Sequence, residues 1–137
     1  MRLFISIEAQ SSSAHIISNI RNQIESRIGN IEVTNYTNDL DSIGIIINCF
    51  DKNFLSVGFG KTRKYISYKN RYADIRLNIP FEEFMEADKD KRIDMVKNNI
   101  YESIRIIDSK LNKKKGCSFD GERMIGDIEE KLEGIKV

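Results

Sequence analysis

Asp74 and Arg76 stand two residues apart in a stretch that alternates as a β-strand, so their side chains share one face. A carboxylate beside a guanidinium can act as acid and electrophile, provided that a concave pocket with shifted ionisation surrounds the pair. More commonly such residues are cross-strand salt-bridge elements on an exposed sheet face. They close a longer basic stretch. From Lys61 to Arg76 there are six bases (Lys61, Arg63, Lys64, Lys69, Arg71 and Arg76) against one acid, Asp74, a net of +5. Tyr65, Tyr68 and Tyr72 are interleaved with them. Bases in this setting neutralise phosphates, and tyrosine rings stack on nucleobases. Tyr and Arg are also the side chains enriched at the energetic centres of protein interfaces. The third reading is a solvated hairpin whose charges resist edge-to-edge aggregation. The residues themselves leave all three open.

The remaining chemistry is sparse. His15 is the only histidine and falls near the start of a helical stripe, where it reads as a surface or half-buried helix residue. One histidine and two distant cysteines, Cys49 and Cys117, cannot supply a zinc set, and no Asp-rich loop resembles a calcium site. No metal and no cofactor is expected. Gly58-Phe59-Gly60-Lys61-Thr62 echoes the end of a phosphate loop but lacks the upstream glycine, and it reads as a turn. Glu82, Glu83, Glu86, Asp94, Glu129 and Glu130 read as solvated helix faces. Acidic segments balance the basic one. Glu82 to Asp94 carries six acids and three bases, and Ser118 to Val137 does the same, each a net of −3.

The elements that must position these residues follow from periodicity. Leu3, Ile5 and Ile7 alternate as an opening strand. Ser11 to Ser13 offer N-cap hydroxyls to a helix with Ile16, Ile17, Ile20, Ile24 and Ile28 on one stripe, and Gly29 supplies a stop. The unbroken Ile45-Ile46-Ile47 marks a strand near the sheet centre, covered at least partly on both faces. Strands are predicted over 54–59, 63–68 and 72–79, joined by turns at 60–62 and 69–71, which describes an antiparallel meander. Pro80 ends the sheet. Ile93, Val96, Ile100, Ile104, Ile107 and Leu111 form one long helical stripe, which Asp88 or Asp90 can cap. Asp120 can cap a last helix with Ile125, Ile128 and Leu132 facing in. The fold class is therefore α+β: a mainly antiparallel sheet, a β-meander, with helices packed on one face and the other face open or lightly covered.

With 137 residues and no linker or repeat, residues 1–137 read as a single domain. Hydrophobic residues make up 40% and charged residues 31%, which excludes a disordered or membrane-embedded chain. A net charge of +1 gives no global pull toward nucleic acid or an anionic membrane, so electrostatic arguments must be local. The opening residues are too soon interrupted by polar side chains for a signal segment, and the two cysteines fit a reducing compartment. A cytoplasmic protein is expected.

Tyr72-Ala73-Asp74-Ile75-Arg76-Leu77-Asn78-Ile79-Pro80 followed by Phe81-Glu82-Glu83-Phe84 resembles small immunity proteins of bacterial polymorphic-toxin and contact-dependent growth inhibition systems. The helix with Met95-Val96 and Tyr101-Glu102-Ser103-Ile104, and the tail Phe119-Asp120-Gly121-Glu122, extend the likeness to immunity protein family 44. The resemblance implies a protein that is not an enzyme. Its partner would be a cognate toxin domain, often a nuclease, blocked by stoichiometric binding. On the residue side, the expected partner-binding set is Arg63, Tyr65, Lys69, Arg71, Tyr72, Asp74 and Arg76. The alternative is a nucleic-acid-binding module using the hairpin 61–76. No membrane partner is expected, and the sequence leaves the oligomeric state open.

Overall fold

The central strand explains the rest of the architecture. In the computed structural model, which describes residues 2–32, 42–51, 55–64, 68–111 and 119–135, β3 (Ser42–Cys49) lies in the middle of a five-stranded sheet. Ile43, Ile45 and Ile47 point to the core with no exposure, and Ile46 points to the opposite, lightly covered face. This is the position that the unbroken isoleucine run predicts.

β1 (Arg2–Ala9) and β5 (Tyr68–Asn78) flank β3, and both run parallel to it. β2 (Asn30–Glu32) and β4 (Leu55–Lys64) close the edges antiparallel, giving the order β2-β1-β3-β5-β4. The α+β class therefore holds, but the sheet is mixed and is not a meander. After β3 the chain passes to the edge, forms β4, and returns as β5 between β3 and β4. Composition accounts for this. Ala73 and Ile75 are buried and suit an inner strand. β4 carries Gly58, Gly60, Lys61, Arg63 and Lys64, which suit an edge. The turns predicted at 60–62 and 69–71 are also replaced. β4 and β5 pair without a break from Leu55↔Leu77 to Lys64↔Tyr68. Turn-type residues are tolerated there because the ladder satisfies their backbone groups.

The described helices all pack on one face. α1 (Ser11–Ile28) packs on β1 with Ile17, Ile20, Ile24 and Ile28 buried. α3 (Lys89–Leu111) packs on β5 and β3, and every residue of its predicted stripe is buried. α4 (Gly121–Lys131) lies against α3 and α1 with Met124, Ile125 and Ile128 buried. Burying each such isoleucine contributes about 1.5–3 kcal/mol. No helix among the described residues is long and apolar enough to cross a membrane.

Local chemistry fixes the ends. Asp88 accepts from the Lys91 amide at 2.8 Å and Asp120 from the Arg123 amide at 3.1 Å, as N-caps do. At α1 the expected serine cap is absent. Gln10 is the N-cap residue, without a side-chain cap bond, and the buried Ser13 hydroxyl donates instead to the Cys49 carbonyl at 2.9 Å. This ties α1 to the end of β3. α2 (Phe81–Glu86) is closed by Arg92, which donates to the Phe84 and Met85 carbonyls at 2.8 and 2.7 Å. β2 is too short to cover the whole edge of β1. Beyond it the Ile5 amide donates to the Gly29 carbonyl and the Ile7 amide to the Glu25 carboxylate, both at 2.9 Å. α1 therefore closes an edge that would otherwise offer free amides.

Candidate functional site

The sheet face turned away from the helices carries the polar half of each alternating strand. The strand register arranges it in rows across β1, β3, β5 and β4. One row reads Phe4, Gly44, Asp74, Gly58, and the next toward the C-terminal ends of β1, β3 and β5 reads Ser6, Ile46, Arg76, Ser56. A third reads Glu8, Asn48, Asn78. On the other side of the first, Tyr72 pairs with Ser42 and Gly60.

A shallow open hollow of about 500 Å³ lies over the first of these rows, lined among others by Phe4, Ser6, Gly44, Ile46, Tyr72 and Asp74. Its depth comes from glycine. Both cross-strand neighbours of Asp74, Gly44 and Gly58, lack a side chain. The Asp74 carboxylate folds over β3 into the space that a Cβ at position 44 would occupy, while a Cβ at position 58 would meet nothing. Phe4 stands at the far wall, 39% exposed for an apolar ring.

The two residues singled out for chemistry part company here. Arg76 reaches across β3 and donates to Glu8 at 3.0 Å. It is thus a cross-strand salt-bridge element, but its partner is on β1 and is not Asp74. The Asp74 carboxylate has neither a hydrogen bond nor an ion pair among the described residues. Partial burial between the strands pushes its pKa up from the ordinary carboxylate value, and no opposing contact pulls it back. The nearest guanidinium on β1, that of Arg2, sits over the Phe4 ring at 5.6 Å.

Of the other predicted residues, Tyr72 lines the hollow and is half-buried. Tyr65 lies outside the described residues, as do the side chains of Arg63, Lys69 and Arg71. Their register is clear, however. Arg63 pairs with Lys69, and Lys69 and Arg71 fall at the positions alternate to Tyr72, Asp74 and Arg76, so the ladder does not bring Arg63, Lys69 and Arg71 onto the rows of the hollow. Residues 61–64 and 68–71 pair with each other past Ser42, where β3 begins, as a two-stranded extension. Asn78 is used structurally, its amide bridging both backbone groups of Phe50 at 3.2 and 3.0 Å.

Sequence reasoning missed Phe4, Ser6, Gly44 and Gly58. A glycine interrupting an isoleucine-rich strand was the available signal, since it marks a close approach. Elsewhere, His15 is exposed on α1, and Cys117 lies outside the described residues. Burial pushes the Cys49 thiol up, which keeps it unreactive. Tyr101, on the helical side, is pushed up to about 12 by burial and by Glu129 and Asp94. Gly58 to Thr62 runs within β4, so the phosphate-loop echo is ordinary strand. No group of three metal-ligating side chains exists among the described residues.

The sequence pattern of the immunity protein 44 family matches residues 1–134, which takes in every strand and helix described above. The chain belongs to the immunity protein 44 family. No match was found among curated proteins or among solved structures. Membership gives an immunity function in general terms and implies a toxin as partner. In this member of the immunity protein 44 family, the open sheet face is the part of the frame not committed to the helical core.

Proposed function

We propose that this protein neutralises a cognate bacterial toxin domain by stoichiometric binding, as a single cytoplasmic domain without turnover, and that the open sheet face is its docking surface. The observation that carries this reading is the asymmetry of the sheet. α1 and α3 cover one face, while the other holds an open hollow with an exposed aromatic ring and a carboxylate unpaired among the described residues. Tight interfaces are built from a few anchors of this kind inside a ring of neutral contacts. A stable complex needs about 800 Å² per partner, more than the hollow alone. Tyr72 and Asp74 therefore form its centre and Arg76 its rim; Arg63, Lys69 and Arg71 hold the alternate positions of the ladder and would reach the partner only from the two-stranded extension. A catalytic use is the weaker reading, because Arg76, the electrophile it requires, is turned to Glu8.

The test is co-expression with the C-terminal domain of the secreted protein encoded beside it, scoring growth and co-purification. A one-to-one complex with restored growth is expected. Persistent toxicity without co-purification would exclude that toxin as the partner.

A second reading has its own observation. The paired residues 61–64 and 68–71 carry Lys61, Arg63, Lys64, Lys69 and Arg71 and no acid on a two-stranded ribbon, a shape that enters nucleic-acid grooves. It predicts RNA or DNA binding that weakens steeply with salt. No binding at low salt would remove it.

A further inference from the structure

Asp74 sits in an unusual place for a carboxylate with nothing to hold. Its two cross-strand neighbours are glycines, so no side chain stands directly opposite it on β3 or β4. The guanidinium groups nearest in register are engaged elsewhere, Arg76 with Glu8 and Arg2 over Phe4. The carboxylate lies in a hollow with aromatic side chains, Phe4 and Tyr72, in its lining. Asp74 is exposed as a residue, yet the strands beneath its carboxylate partly desolvate it, and no described side chain pairs with it in return.

We propose that the hollow over Gly44 and Gly58 receives a basic side chain of the toxin domain, with Asp74 as its counter-ion and Phe4 and Tyr72 as its walls. The inference rests on the open face being the docking surface and adds the chemistry of the partner. An anion is excluded, because the carboxylate repels it, and so a nucleic-acid backbone does not fit here. A metal ion is a poor occupant, since one carboxylate does not make a coordination set. A protonated side chain fits on both counts. Its charge meets Asp74, and its flat or methylene portion lies against the rings, as the Arg2 guanidinium already does on Phe4. Pairing on binding also removes the burden that the free protein carries at Asp74.

The test uses the intact protein and the toxin domain encoded beside it. Asp74→Asn keeps the shape and removes the charge, and it is expected to weaken the complex by about 30-fold or more. Gly58→Arg places a guanidinium next to Asp74 from within, in space that is empty, and is expected to block the partner without loss of fold. Asp74→Lys is expected to abolish growth protection, and changing one Arg or Lys of the toxin to Asp is expected to restore it. Binding by Asp74→Asn within about twofold of wild type would overturn the inference and leave the docking reading standing. Failure of every basic-to-acidic toxin change to restore protection would overturn it as well. Failure of the wild-type protein to bind would strike the docking reading first and this inference with it.

Discussion

Two ends of the same sheet face treat their charges in opposite ways. Toward the C-terminal ends of the parallel strands, Arg76 and Glu8 close on each other across β3, and the Asn78 amide is tied to the backbone of Phe50. Two residues away on β5, Asp74 stands between two glycines with no partner among the described residues. At the first end Arg76, Glu8 and Asn78 already hold partners, although the buried Asn48 amide between them does not among the described residues. The second holds an aromatic wall, a hollow and an uncompensated charge. Residues on one strand and one face can thus be structural or available according to what their cross-strand neighbours supply. Sequence alternation places them together, but only register separates their roles.

The largest effect should come from filling the hollow. Gly44→Val puts a branched side chain where the Asp74 carboxylate lies. The carboxylate must swing out, so toxin binding should be lost. Strain should cost about 1–3 kcal/mol of stability, offset in part by the better strand propensity of valine. Denaturant unfolding beside a binding titration separates the two. A Gly44→Val protein that binds normally would mean that the hollow is not the docking point and would break the comparison at its centre.

Asp74→Asn comes next and is expected to separate function from stability. The folded pKa of Asp74 is raised above the unfolded carboxylate value. Its contribution to stability is thus fully present below the unfolded value and is lost as pH rises through the folded one. At neutral pH the charge works against the fold. The Asn variant should be as stable as wild type or slightly more so, within about 0.5 kcal/mol, while its toxin affinity falls. Binding a cation reverses the sign, because it favours the charged form. Affinity of the wild-type protein should therefore decline as pH falls through the raised Asp74 value, and this part of the decline should vanish in Asp74→Asn. Titration at several pH values checks both statements.

How much of this was legible in the sequence depends on which interactions are local. The stripe from Ile93 to Leu111, the caps at Asp88 and Asp120 and the buried alternation of β1 are short-range patterns, and all are present. The placement of Tyr72, Asp74, Arg76 and Asn78 on one face follows from alternation alone. Strand order does not, because nothing in residues 54–79 states that β5 slots between β3 and β4. The competing turn signals at Gly60 to Thr62 and Lys69 to Arg71 yielded to a continuous ladder, a long-range gain invisible to a short window. The site suffered the same limit. Phe4 meets Asp74 only through the parallel pairing of three strands, so no motif could have joined them.

The first end offers a prediction of the opposite sign. Asn48 is fully buried, and neither polar atom of its side chain has a hydrogen-bond partner among the described residues. A buried amide without partners costs more than an apolar group of similar shape. Asn48→Val, on a central strand that favours β-branched residues, should raise stability by about 1 kcal/mol and leave toxin binding unchanged. Thermal unfolding and a binding titration test this together. A loss of binding in the more stable variant would show that the amide serves the interface and that the two ends are less distinct than their bonding indicates.

The smallest effect is expected at the ion pair itself. Arg76 and Glu8 are 34% and 46% exposed, so solvent screens most of their attraction. Glu8→Gln should cost no more than about 0.5 kcal/mol, and added salt should shrink even that. Its value lies in what it does to Asp74. With Glu8 neutral, the Arg76 guanidinium is freer to turn along β5 toward the other carboxylate on its own face. If it does, Asp74 gains an internal counter-ion, its pKa falls, and the toxin's basic side chain meets a site already compensated. Toxin affinity should then weaken modestly although Glu8 touches no partner, and carboxyl titration by NMR should show the Asp74 value moving down. An unchanged Asp74 in Glu8→Gln would mean that β-strand geometry, and not the ion pair, holds Arg76 away from it.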